Sequence, residues 1–172
     1  MEIFTETERL ILREIVPTDR DGLFAIDSDP DVNLYLGRKP VETIEQIDSL
    51  IAFIRKQYVD NGIGRWAMIE KDTNNFIGWC GLKLVKELTN KHINYYDLGY
   101  RLNKTYWGKG LGTEAAKATV DYGFNNMKLK AIYAIADSQN SASKNIIQKI
   151  GLKYTNTFKF NDTDHDWFEI HK

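Results

Sequence analysis

The segment Tyr106-Trp107-Gly108-Lys109-Gly110-Leu111-Gly112-Thr113-Glu114 concentrates the residue types that bind anions. Three glycines at alternate positions leave the backbone N–H groups unshielded by side chains and let another molecule approach the chain closely. A helical pattern follows at once, so the positive end of a helix dipole falls at the same place. Lys104 and Lys109 add full charges nearby. A phosphate-type ligand is the expected partner, and a tight strand-to-helix turn without a ligand is the plainer alternative. A Walker A loop is excluded, because Gly108-Lys109 is followed by Gly110 and no hydroxyl stands ready for magnesium. The dinucleotide fingerprint requires G-x-G-x-x-G, against G-x-G-x-G here. Asp137 ends the next strand, where a ribose-binding acid would sit. However, the strand before the loop alternates polar and apolar residues, unlike a buried parallel strand.

Few other residues offer chemistry. Cys80 is the only cysteine, which excludes an intramolecular disulfide and any multi-cysteine zinc or iron–sulfur centre. It reads as a small buried hydrophobe, which disfavours an acyl-cysteine mechanism. His92, His165 and His171 are isolated, and none is expected to be catalytic. No metal site is expected.

The elements that position the glycine loop follow from periodicity. Residues 8–15 read as a strand ending before Pro17, and 19–26 as a short acidic helix closed by Ser28-Asp29-Pro30. Thr43 and Gln46 form a capping box before Ile44, Ile47, Ile51, Ile54 and Tyr58, which predicts a helix stopping near Asn61-Gly62. Segments 65–70 and 76–85 flank a turn-rich stretch and predict a hairpin, with Gly78 and Gly81 marking a bulge or close backbone approach. Residues 95–102 are a further strand, and 110–125 a helix with Leu111, Ala115, Ala118 and Tyr122 along one stripe. A strand at 131–136, a helix at 141–150 closed by Gly151, and strands at 154–160 and 166–171 complete the order β-α-α-β-β-β-α-β-α-β-β. The expected class is α/β (α+β mixed), with a mixed sheet and helices in a single domain spanning 1–172.

A length of 172 residues, 42% of them hydrophobic, supports one well-filled core. No apolar run is long enough for a membrane span, and the first ten residues lack a signal-peptide pattern, so a reduced, soluble, cytoplasmic protein is expected. A net charge of −1 argues against nucleic acid and hides an asymmetry. Residues 1–31 hold nine acids against Arg9, Arg13 and Arg20, whereas residues 101–149 hold eight bases against Glu114, Asp121 and Asp137. Ordinary surface charge would explain any one of these residues. The halves would also suit an anionic ligand beside a cationic one.

Trp107–Gly112 resembles the [QR]-x-x-G-x-[GA] acyl-CoA pyrophosphate loop of the GNAT superfamily of N-acetyltransferases, with Trp107 where Gln or Arg usually stands. The resemblance covers nearly the whole chain. Asp97-Leu98-Gly99-Tyr100-Arg101-Leu102, Tyr106–Ala115 and Asn140–Gly151 follow in family order and are most similar to the branch that acetylates ribosomal-protein N-termini. The implied fold is a central, mostly antiparallel mixed sheet, splayed into a V between the strands at 95–102 and 131–136 and flanked by about four helices. The implied cofactor is acetyl-CoA as co-substrate. Its pyrophosphate would rest on Gly108, Lys109, Gly110, Leu111, Gly112 and Thr113, and its pantetheine would pair with backbone near Tyr100 and Leu102. Asn140 would contact the arm or an ordered water, and could equally serve as an N-cap.

The resemblance implies direct attack of a primary amine on the thioester in a ternary complex. The amine must lose a proton to a base, or to water leading to one, and the departing sulfur is helped by a donor. Many members place a tyrosine donor on the last helix, where Ile147 stands here, so Ser143 is the candidate donor and helix stabilisation its alternative role. Asp97 is the candidate base. The acceptor would lie beside the first two helices: a protein N-terminus, a polyamine, an aminoglycoside or another small amine. A non-catalytic acyl-CoA-binding module and a nicotinamide-dependent enzyme are the alternative readings. Exposed sheet edges would permit a homodimer, and no nucleic-acid or membrane partner is expected.

Overall fold

Alternating apolar residues build most of the sheet, and capping residues set the helices around it. The computed structural model describes residues 1–37 and 39–172. Along those residues run β1 (Ile3–Glu6), β2 (Leu10–Glu14), α1 (Arg20–Asp27), α2 (Pro30–Asn33), α3 (Ile44–Asn61), β3 (Arg65–Glu70), β4 (Phe76–Val85) and β5 (Tyr95–Leu102). They are followed by α4 (Leu111–Asn125), β6 (Ala131–Asp137), α5 (Ser141–Lys149), β7 (Lys153–Phe160) and β8 (Thr163–His171). The strands form one sheet in the order β1-β2-β3-β4-β5-β6-β8-β7. Neighbours are antiparallel except β5 and β6. The class is mixed α/β, as the element order predicts.

Two elements escape the sequence reading. β1 is a four-residue edge strand with little burial, too short and too polar for a clear period. α2 is a single turn capped by Asp29, whose side chain accepts from the Asp31 amide, so the flanking helices are four long ones and this turn. β8 starts three residues earlier than expected, because Asn161 and Asp162 take positive φ (50° and 63°) and close a tight hairpin with β7. Gln46 Oε1 accepts from the Glu42 and Thr43 amides at 2.9 and 3.0 Å, and Gly62 ends α3 at φ 69°.

The sheet separates two cores. On one face Leu98, Leu102, Ile132, Ala134 and Ala136 pack under α4 and α5. On the other, Ala67 and Ile69 meet Leu23 of α1 and Ile47, Ile51 and Ile54 of α3. The β3–β4 register shifts next to Gly78, where a Cβ would stand 2.2 Å from the Arg101 carbonyl oxygen, so that glycine permits the expected close approach. β4 pairs with β5 along its whole length, from Gly78 opposite Leu102 to Val85 opposite Tyr95. β5 and β6, by contrast, share the one registered pair Asp97–Tyr133, and diverge from there toward their C-terminal ends. This is the expected V between the central strands.

Candidate functional site

The open end of the V faces the glycine loop. Gly108 and Gly110 take φ of 73° and 78°, a region where a side chain is strained, and Gly110 becomes the N-cap of α4. Gly112 is helical and marks a close approach: a Cβ there would lie 3.4 Å from both Tyr100 Cε2 and Leu102 Cδ1. The amides of Gly108, Lys109, Gly110, Leu111, Gly112 and Thr113 have no acceptor among the described residues. Six donors and a helix N-terminus side by side have the chemistry to receive an anion. Trp107 is half-exposed, and its indole N–H donates to the Leu102 carbonyl at 3.1 Å, fastening the loop to the end of β5. The Lys109 ammonium lies 5.2 Å from the Tyr106 ring centre.

Sequence reasoning missed two residues here, because they lie about a hundred positions apart. Arg9, just before β2, donates from Nε to Glu114 Oε2 at 2.7 Å and from Nη1 to the Lys109 carbonyl at 2.9 Å. Glu114 also accepts from the Arg9 amide at 3.0 Å and the Thr7 hydroxyl at 2.5 Å. Burial works against the charge of Glu114, yet these hydrogen bonds and the guanidinium hold its carboxyl below the usual range. No spacing rule connects Arg9 to Glu114.

At the start of α5, Asn140 is the N-cap, its side-chain oxygen accepting from the Ser143 amide at 3.1 Å. Ser143 lies against the Tyr100 hydroxyl, and burial pushes the Tyr100 phenol up while its hydrogen bond with Ser143 opposes the shift. Tyr100 and Ser143, considered separately in the sequence, are therefore neighbours. Ile147 is buried in the core. Burial raises the Cys80 thiol to about 11, in keeping with an inert side chain. Asp137 accepts from the Gln139 amide at 2.9 Å, a turn contact.

Asp97 stands at the fork of the V, on the face of β5 opposite α4 and α5. Its Oδ2 accepts from Arg65 Nη2 at 2.5 Å, while Oδ1 is buried with no partner among the described residues. Arg65 also donates to the Gly81 and Asp97 carbonyls at 2.6 and 2.7 Å. It lies over Gly99, where a Cβ would come within 2.7 Å of its Nη2. Further along, Trp79 has Arg65 at 5.3 Å and Arg101 at 5.2 Å from its ring centre, and Arg101 pairs with Asp27 at 2.6 Å in near-complete burial.

Part of the charge asymmetry closes on itself. Asp27 is matched by Arg101, Asp29 and Asp31 by Lys104 at 3.6 and 3.1 Å, Asp19 by Arg13, and Glu114 by Arg9. The acidic segment is thus partly neutralised, while Glu2, Glu8 and Asp21 stay exposed. Tertiary contact brings Asp19 and Asp27 to arginines in near-complete burial, whereas Asp31 keeps 65% of its side chain exposed beside Lys104.

A family model described as an acetyltransferase (GNAT) domain matches residues 9–153. YoaA of Bacillus subtilis (strain 168), described as an uncharacterized N-acetyltransferase, is 33% identical over 148 residues, covering 86% of this chain and 81% of that protein. The spermidine N(1)-acetyltransferase of Escherichia coli (strain K12) is 26% identical over 141 residues, covering 82% of this chain and 71% of that protein. The crystal structure of a GNAT-family acetyltransferase from Bacillus anthracis superposes with a TM-score of 0.80 at 27% identity, covering 99% of this chain and 98% of that one. With the glycine loop opening α4 and the parting of β5 from β6 already in view, the chain belongs to the GNAT family of acetyltransferases.

Proposed function

We propose that residues 1–172 form one domain that moves an acetyl group from acetyl-CoA to a primary amine in a ternary complex. The observation that carries this reading is the row of six loop amides at the start of α4 with no acceptor among the described residues. Acetyl-CoA supplies an activated acetyl thioester. The Gly108–Thr113 amides bind its pyrophosphate, Lys109 adds charge, Trp107 holds the loop to β5, and Leu111 and Gly112 seat α4 against that strand. The backbone of Tyr100 and Leu102 pairs with the pantetheine arm, Leu102 sharing its carbonyl with the Trp107 indole, and Asn140 contacts the arm while capping α5. Ser143 Oγ donates the proton to the departing sulfur. Burial pushes the Tyr100 phenol beside it up from an ordinary value that already keeps it protonated at neutral pH. Asp97 accepts the amine proton, directly or through water, with Oδ1 free and Oδ2 held by Arg65.

The spermidine-acetylating relative supports an amine acceptor. Because Asp27 and Asp97 are each matched by an arginine, the acceptor side favours a single amine, as in a protein N-terminus or a small amine, over a polycation such as a polyamine or aminoglycoside. A cytoplasmic setting keeps the lone Cys80 reduced. Acetyl-CoA at a hundred times its Kd stabilises the folded state by about 2.7 kcal/mol. For a chain of this size that raises Tm by roughly 5–10 °C. No shift at millimolar acetyl-CoA overturns the reading. Binding without thiol release across a broad amine and peptide screen would reduce the protein to an acyl-CoA-binding module.

A further inference from the structure

The turn between β1 and β2 is joined to the glycine loop by more contacts than packing alone requires. Glu114 collects the Thr7 hydroxyl, the Arg9 amide and the Arg9 guanidinium, and Arg9 then reaches past it to the Lys109 carbonyl. The turn itself is held from behind: Lys71 Nζ donates to the Thr7 carbonyl at 2.7 Å, and the Lys71 amide to the Arg9 carbonyl at 2.9 Å. Fixing the Lys109 carbonyl on the Arg9 side matters for the neighbouring amides. A peptide plane carries its C=O and N–H in opposite directions, so turning that oxygen toward Arg9 turns the Gly110 amide away from it. Arg9 therefore sets the peptide orientation at the centre of the loop. A guanidinium has five N–H groups, of which Nε, Nη1 and Nη2 each commit one here, so two remain on a side chain that is 45% exposed. The site of a Gly110 Cβ is 3.5 Å from Arg9 Nη2, so those donors border the loop.

We propose that Arg9, held by Glu114, which Thr7 fixes in turn, is a positioning residue for the cofactor loop: it orients the Lys109–Gly110 peptide so that the Gly110 amide is presented for phosphate binding. The inference rests on the reading of the loop as an acetyl-CoA site. The test measures acetyl-CoA binding by calorimetry on the whole chain, with no acceptor, for wild type, Arg9→Met, Arg9→Lys and Glu114→Gln. Arg9→Met is expected to raise Kd about tenfold, with faster hydrogen exchange at the amides of 108–113. Arg9→Lys is expected to recover part of the affinity, because it keeps the charge but not the planar fork. Glu114→Gln is expected to weaken binding less than Arg9→Met, and it carries the test if Arg9→Met does not fold. Unchanged Kd and unchanged loop exchange in Arg9→Met and Glu114→Gln, even with a lower Tm, overturn the inference and leave Arg9 a structural tie alone. A wild-type chain that binds no acetyl-CoA overturns the loop reading, and this inference with it.

Discussion

Ser143 stands beside the Tyr100 hydroxyl and also lends its amide to the Asn140 cap. The backbone half of that arrangement does not need the hydroxyl, so Ser143→Ala separates the two roles. Turnover is expected to fall by roughly 10²-fold or more if Ser143 Oγ delivers the proton, with the Kd for acetyl-CoA nearly unchanged. Steady-state kinetics alongside calorimetry make the check, and full turnover in the variant returns Ser143 to a helix-stabilising part. Asp97 is more constrained than the sequence indicates. Arg65 holds one carboxylate oxygen, the Asp97 carbonyl and the Gly81 carbonyl of β4, which leaves Oδ1 without a partner among the described residues. A carboxylate at the start of a strand is visible in the sequence, but its arginine, 32 positions away, is not.

At the level of elements, the contact that ties the helical side to the central strand is Asp27 at the end of α1 with Arg101 near the end of β5. Their side chains are 6% and 9% exposed. Both charges are largely shielded from water, so removing one takes away the main compensation of the other. Asp27→Ala is expected to lower the unfolding free energy by about 3–5 kcal/mol. Removing Asp60 from its exposed pair with Lys56 is expected to change stability by less than about 1 kcal/mol. Urea titrations of the two variants, compared at equal slope, decide it. The same pair withdraws Asp27 from the acidic run at the N-terminus. Composition counted those acids correctly, but which bases they meet depends on how α1 and the segment after it cross the sheet.

Across the whole molecule, acid stability follows from carboxylates that are better partnered folded than unfolded. Glu114 ties the β1–β2 turn to α4. Asp166 on β8 takes Lys144 at 2.7 Å, Ser138 at 2.7 Å and Thr157 at 2.8 Å, joining α5 to the last hairpin. Burial works against the charge of both, yet their partners hold both carboxyls below the ordinary values of 4.5 and 3.8. The unfolded chain then binds more protons than the folded one in the window below those values. The stabilisation is complete above that window and is lost as the pH falls through the lowered folded values. Tm is expected to drop as the pH is taken from 5 to about 2, with a shallower slope in the Glu114→Gln, Asp166→Asn double variant. An equal slope in that variant would assign the acid sensitivity to other carboxylates.

Local chemistry alone determined a large part of this protein. Alternation in 95–102, the glycines of 108–112, the cap at Thr43 and the stop at Gly62 act through backbone sterics and neighbouring residues, so they are readable in one dimension. They specified the mixed α/β order and the loop that resembles a CoA site. Contacts between distant residues were decided by the tertiary structure. These are the parting of β5 and β6 beyond Asp97–Tyr133, the meeting of Tyr100 with Ser143, the pairing of Asp27 with Arg101 and of Asp31 with Lys104, and the grip of Arg9 on Lys109. Hydrogen bonds and ion pairs act over a few ångströms, and only the sheet, once assembled, brings residues a hundred positions apart within that range.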